Sequence, residues 1–358
     1  MINESTTERS QPEEADAPPE SPAEQEVERR GFSLGRSLRD PRTLISFGLA
    51  LAIILFVFRS FDIDLEATMA YVRGADPLLM LTALVVFYLT FPLRAFRWRM
   101  LLDNAGVPVR AGRKTWASMP ALMEYMYLSW FANCIVPAKL GDAYRGYLLK
   151  RNGQVSFSST FGTIFAERLL DMIGLFTFLV ISGWFVFGTS LPPQTNIIFI
   201  SGLVLVGIII SGLASMRWFS PLVRKLMPRR LHRVYGQFEH AALRSFRPGL
   251  LPRLIALTGC VWLLEGFRLF FVIQALGHPS LNLGISAIIF VALASSLLTA
   301  LPITPAGLGV VESTITAVLI FFGVDQNLGG AVTLLDRLIN FWSIVFFGFI
   351  LYLFSKRK

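Results

Sequence analysis

Long apolar runs alternate with short polar breaks along this chain. Apolar runs of roughly 17–25 residues are what a helix needs to cross a bilayer. Eight such runs occupy 43 to 58, 77 to 93, 116 to 136, 157 to 188, 196 to 214, 254 to 276, 284 to 301 and 334 to 354. Nothing shows the roughly 9–11-residue alternation of an outer-membrane strand. The pattern predicts an all-α polytopic membrane protein with about eight transmembrane helices. Two short re-entrant or broken half-helices are expected near 137–152 and 302–322, for a reason that lies in the breaks.

Basic breaks mark the cytoplasmic side of a membrane protein. Five arginines between Arg29 and Arg42 precede the first run, and Lys356, Arg357 and Lys358 follow the last. The break at 94–114 holds six basic residues, and that at 217–253 holds nine with one acid, Glu239. Both termini are therefore expected in the cytoplasm of a cell-membrane protein. Three apolar runs lie between the two basic breaks, whereas a chain that returns to the same side needs an even number of crossings. Something must add a crossing or cancel one, and residues 137–152 are the candidate. The same imbalance arises near 302–322.

Both places carry a similar motif, PAKLGDAYR at 137–145 and PAGLGVVES at 305–313. Pro, Ala, Leu and Gly match in register. Downstream, Glu167–Arg168–Leu169 matches Asp336–Arg337–Leu338, and upstream FRWRMLLDNAGVP at 96–108 aligns with FRLFFVIQALGHP at 267–279. The offsets of 168, 169 and 171 are nearly constant, which is the mark of a duplication. The upstream window lies on an outward-to-inward run in the first copy and on an inward-to-outward run in the second. An inverted repeat is expected, with halves of about 77–215 and 250–354 and a basic cytoplasmic connector at 217–253. Inverted repeats with broken helices are a transporter architecture. Proline and glycine suit the start of a half-helix, whose N–H groups favour an anion. The alternative for the first motif is an ordinary cytoplasmic turn.

Composition agrees with this reading and trims it. The chain is 54% hydrophobic and 16% charged, against roughly 25% charged in soluble domains. Nine acids and one base crowd residues 1–28, in a Pro/Glu/Ala-rich stretch that cannot bury enough apolar area to order itself. Residues 1–40 are therefore expected to be a disordered acidic tail, and 41–358 the membrane domain. No apolar core and cleavage site announce a signal peptide. Without 1–28 the balance is strongly basic, which in a membrane protein means orientation and headgroup contact rather than nucleic acid. Cys134 and Cys260, with three scattered histidines, offer neither a disulfide framework nor metal spacing. No cofactor is expected.

NCIVPAKLGDAYRGYLL, FAERLLDMIGL, LPITPAGLGVVES and LLDRLINFW resemble the transmembrane, flippase-like domain of lysylphosphatidylglycerol synthases, which also occurs as stand-alone proteins. The likeness covers roughly 43–354. It implies a polytopic inner-membrane protein that handles lipids, and in such synthases the domain is linked to moving aminoacylated lipid between leaflets. This chain shows no soluble aminoacyl-transfer domain, so synthesis is not carried over. Asp142 stands where many members are expected to have glutamate.

Charges inside apolar runs cost at least about 2.5–3.5 kcal/mol each on insertion scales and so need partners or a cavity. Lys139, Gly141, Arg145, Arg168, Gly307, Gly309 and Arg337 are the expected binding residues for a lipid phosphate, since guanidinium donates two parallel bonds to it. Asp142, Glu167, Asp171, Glu265, Arg268 and Glu312 are expected to balance charge and exchange protons. The plainer alternative makes Glu167–Arg168–Asp171 and Glu265–Arg268 self-neutralising structural groups at helical spacing. Arg94, Arg97 and Arg99 around Trp98 are expected to be interfacial anchors. The connector is expected to lie on anionic lipid through residues such as Trp218 and Tyr235.

The leading expectation is a translocase for an anionic phospholipid or a polyprenyl-phosphate-linked lipid. The alternatives are a headgroup-modifying enzyme, for which no catalytic motif is present, and a non-transporting partner of a glycosyltransferase or lipid synthase.

Overall fold

Pro92 lacks an N–H and its ring crowds the carbonyl four residues back, which is that of Tyr88. The helix accordingly breaks just after Tyr88, giving α1–α3: α1 is Leu65–Arg73, α2 is Pro77–Tyr88 and α3 is Thr90–Asn104. The Thr90 hydroxyl donates to the Phe87 carbonyl at 2.7 Å across the break. The computed structural model describes residues 61–358 except 108, 110–114, 137–139, 189–192 and 299–306, with scattered positions between 41 and 59. Lys139, the acidic tail, most of the first apolar run and the prolines of both motifs lie outside the described residues.

The remaining helices are α4 Met119–Ile135, α5 Leu140–Gly153, α6 Phe157–Phe187, α7 Pro193–Leu226, α8 His232–Ser245, α9 Leu251–Leu276, α10 Ile285–Leu298, α11 Val310–Phe321, α12 Gln326–Arg337 and α13 Ser343–Phe354. A π turn, Leu338–Trp342, joins α12 to α13. Side chains cap the helix starts where water would otherwise be needed: Asp76 for α2, Ser156 for α6 and Asp325 for α12. Among the described residues, four spans are long and apolar enough to cross a membrane: 77–104, 157–187, 248–276 and 326–354. The first and last extend past the apolar runs at 77–93 and 334–354, because their charged turns are helical too.

The exterior is inverted relative to a soluble protein. Phe185 and Phe354 are 74% and 80% exposed, whereas Arg97, Arg145 and Asp336 are 0% exposed. Apolar faces outside and charges inside are what hydrocarbon solvent selects. This is an all-α polytopic membrane protein.

Two helical hairpins settle the odd number of crossings. α4 and α5 pack together, and Gly141 lies so close to α4 that a Cβ there would collide with the Ser129 carbonyl. The start of α4 and the end of α5 share a side: Glu124 holds Ser355 and Arg357, and Asn152 donates to the Arg357 carbonyl at 2.9 Å. α5 thus brings the chain back to where α4 began. The second hairpin, α10 and α11, opens at the other end of α6. There Phe187 packs on Phe290 near the start of α10 and on Phe321 and Phe322 at the end of α11. The Gly141→Ala variant is expected to lose about 1–3 kcal/mol through this overpacking, read as a lower unfolding midpoint in detergent. An unchanged midpoint contradicts the close α4–α5 approach.

α6 and α10 are in contact, and so are α4 and α13, while α9 crosses both α2 and α3.

Candidate functional site

Six arginines and six carboxylates, each on a helix, gather in the interior. One chain of ion pairs runs Asp142–Arg168–Asp171–Arg97–Glu167–Arg145. A second runs Arg94–Glu265–Arg268–Asp336, and a third is Glu312–Arg337. Asn340 ties the last two, donating to Asp336 at 2.7 Å and accepting from Arg337 at 3.3 Å. Within these chains, among the described residues, the formal charges cancel.

The strongest pairs are two forks. Arg168 holds Asp142 through Nε and an amino nitrogen at 2.8 and 2.6 Å. Arg337 holds Glu312 in the same way at 2.8 and 3.1 Å. Each carboxylate sits in the first turn of a hairpin's second helix, α5 or α11. Each arginine sits 11 residues past the first residue of its span, Phe157 or Gln326, or roughly 16 Å in at 1.5 Å per residue. The two hairpin tips therefore reach the same depth from opposite ends.

Between them lies a cavity of about 190 Å³. Among the described residues its charged wall is Arg94, Arg168, Arg268 and Arg337 with Asp171 and Glu265. Asn133, Ser295, Ser296 and Asn340 supply neutral polar groups, and Phe87, Trp130 and Trp262 supply aromatic faces. The Arg94 guanidinium lies 4.7 Å from the Trp130 ring centroid, a cation–π distance. Such a wall offers fork-shaped donors to a phosphate or carboxylate and apolar surface beside it.

Of the expected binding residues, Arg168, Arg337 and Gly307 line the cavity. Arg145 does not. It is buried, pairing with Glu167 at 2.7 Å and stacking on Trp98. Gly141 and Gly309 are also off the wall, and their amides are already taken, by Asn133 Oδ1 at 2.9 Å and Glu312 Oε2 at 2.7 Å. These two helix starts do not present those N–H groups to the cavity. Gly309 instead supplies a positive φ of 84° that turns the chain into α11. Among the balancing residues, Asp171, Glu265 and Arg268 face the cavity, while Asp142, Glu167 and Glu312 brace arginines from outside it.

Arg94 and Arg97 are not interfacial anchors. Both are buried, Arg94 on Glu265 at 3.0 Å and Arg97 on Asp171, Glu167 and the Thr258 hydroxyl at 2.7, 3.2 and 2.8 Å. A dense basic cluster beside a tryptophan reads as a headgroup belt until α6 and α9 close over it. The available signal was the alignment of Arg97 with Arg268. Asp336 and Asn340 were missed as site residues although Asp336 stood inside the repeated window.

The chain matches, over residues 43–348, the profile of the family described as the lysylphosphatidylglycerol synthase TM region. It belongs to this family. Among relatives of this family member, a UPF0104 membrane protein of Methanocaldococcus jannaschii is 37% identical over 228 residues, covering 64% of this chain and 95% of the relative. A UPF0104 membrane protein of Pyrococcus horikoshii is 24% identical over 341 residues, 88% of this chain and 97% of the relative. Glycosyltransferase AglD of Haloferax volcanii is 30% identical over 132 residues, 37% of this chain but 20% of that protein.

Proposed function

We propose that this lysylphosphatidylglycerol synthase TM-region protein moves a lipid, or a lipid-linked intermediate, between leaflets by taking its anionic headgroup into the central cavity. The observation that carries this is the set of four guanidinium groups on one cavity wall, from α3, α6, α9 and α12. Buried arginines in a membrane interior are costly and mark substrate paths. The reading also rests on an inverted duplication. Arg97–Glu167 in one half answers Arg268–Asp336 in the other, and Arg168–Asp142 answers Arg337–Glu312. Two such halves rocking about a central site give alternating access. The basic residues of both termini and of the connector support a cytoplasmic side for them in a cell membrane.

The test is scrambling of fluorescent phosphatidylglycerol in proteoliposomes. Faster leaflet exchange than in protein-free vesicles is expected, with competition from unlabelled anionic lipid but not from phosphatidylcholine. Equal exchange in both vesicle preparations removes the reading.

The partial likeness to glycosyltransferase AglD favours a second reading, in which the domain serves a glycosyltransferase that acts on a lipid-linked headgroup. Co-purification of such an enzyme, with no loss of function in Arg168 and Arg337 variants, is its distinguishing result.

A further inference from the structure

The ion-pair chains pose a problem for any anionic ligand. Their arginines already hold carboxylates, and within the described chains the charges sum to zero. A headgroup phosphate entering such a cluster adds an uncompensated negative charge to a water-poor interior, where it is expensive. A proton arriving with it removes that cost.

Among the described residues two carboxylates face the cavity, and they are held differently. Glu265 is gripped by Arg94 at 3.0 Å and by Arg268 at 3.2 Å, one oxygen to each. Asp171 Oδ1 is buried and lies 2.7 Å from Arg97 as an ion pair without hydrogen-bond alignment, and Oδ2 lies 3.8 Å from the Arg168 Nη1, beyond hydrogen-bond length. Arg168 turns Nε and Nη2 to Asp142 instead. Of these two carboxylates, Glu265 accepts a hydrogen bond on each oxygen and Asp171 is the less firmly held.

The other half supplies an independent clue. The offset of 169 that aligns Arg168 with Arg337 aligns Asp171 with Asn340. Asn340 also lines the cavity. Its amide occupies the carboxyl position with no charge, and it accepts from Arg337 at 3.3 Å. A carboxamide has the shape and donor–acceptor pattern of a protonated carboxyl group. The second half thus already holds at this position the neutral form that the first half would reach by taking a proton.

We propose that the cavity takes its anionic headgroup together with one proton, which Asp171 receives. This rests on the headgroup reading above. The step balances: the phosphate brings one negative charge, the proton one positive charge, and the Asp171 carboxylate becomes a neutral acid. Arg168, relieved of a second anion nearby, turns its exposed edge to the phosphate. The charged groups around Asp171 are Arg94 and Arg97 from α3, Glu167 and Arg168 from its own helix, Asp142 from α5 through Arg168 and Glu265 from α9 through Arg94. α10 has no titratable residue, and on α7 and α8 Arg224 and Glu239 pair with each other.

The experiment is binding of fluorescent phosphatidylglycerol to the purified protein in neutral detergent between about pH 5.5 and 8.5, with proton uptake read by a dye in weak buffer. One-proton linkage makes the affinity fall by up to about tenfold per pH unit as pH rises. About one proton is taken up per lipid bound. The Asp171→Asn variant is expected to bind at every pH as the native protein does at low pH, with no uptake. A native protein that binds equally across the range without uptake overturns the proposal, and so does a pH slope that survives in Asp171→Asn. If that variant fails to fold, proton uptake by the native protein decides. Absence of any binding to the native protein overturns the headgroup reading itself.

Discussion

Replacing Arg97 with alanine is expected to destabilise the protein by about 3–5 kcal/mol, the penalty for breaking a buried charge pair from one side. Arg97 is 0% exposed and is the shared partner of Glu167 and Asp171. Its removal takes the shortest ion pair from Asp171, leaving Arg168 at 3.8 Å, and strips the Thr258 hydroxyl of its donor. It also opens a void between α3, α6 and α9. Arg99, two residues on and partly exposed, is the comparison: its alanine variant is expected to shift stability by no more than about 0.5 kcal/mol. Unfolding midpoints of the two variants in detergent check this. Equal midpoints would mean that Arg97 is an interfacial residue after all.

The second large effect concerns transport. Arg337→Ala is expected to slow lipid exchange by about a hundredfold or more, since a hydrogen bond to a charged group contributes about 1.5–3 kcal/mol and the guanidinium fork makes two. The fold is expected to survive this change better than the loss of Arg97. Glu312 keeps the Gly309 amide as a partner, and its side chain retains 12% exposure. Arg337→Lys is expected to recover part of the rate, because lysine restores the charge but not the fork. Arg168→Ala is expected to behave alike. Normal exchange in well-folded Arg337→Ala and Arg168→Ala proteins would assign both arginines to structure alone.

Much of this site was legible in the sequence. Glu167, Arg168, Asp171, Glu265, Arg268 and Arg337 stood out because charge inside an apolar run demands a partner. The partners themselves were harder to read. Helical spacing proposes Glu265–Arg268 and Arg168–Asp171; the first holds at 3.2 Å, while the second is a loose 3.8 Å. The short contacts come from other helices, as in Arg94–Glu265 and Arg168–Asp142, and only tertiary packing assigns those. The helix ends were misjudged for the same reason. Arg94 and Arg97 looked like a loop because their compensating carboxylates lie far along the chain. The hairpins were legible through parity and repeated motifs. That the Gly141 and Gly309 amides are used internally depends on Asn133 and Glu312, whose roles no spacing rule gives.

The ion-pair chains have a further consequence. A transmembrane voltage acts on net charge that moves, at about 2.3 kcal/mol per charge per 100 mV. Among the described residues these chains carry matched numbers of both signs, so a rocking motion that shifts them together does no electrical work. For the translocase proposed above, voltage then neither drives nor stalls the return of the empty carrier, although six arginines ride within it.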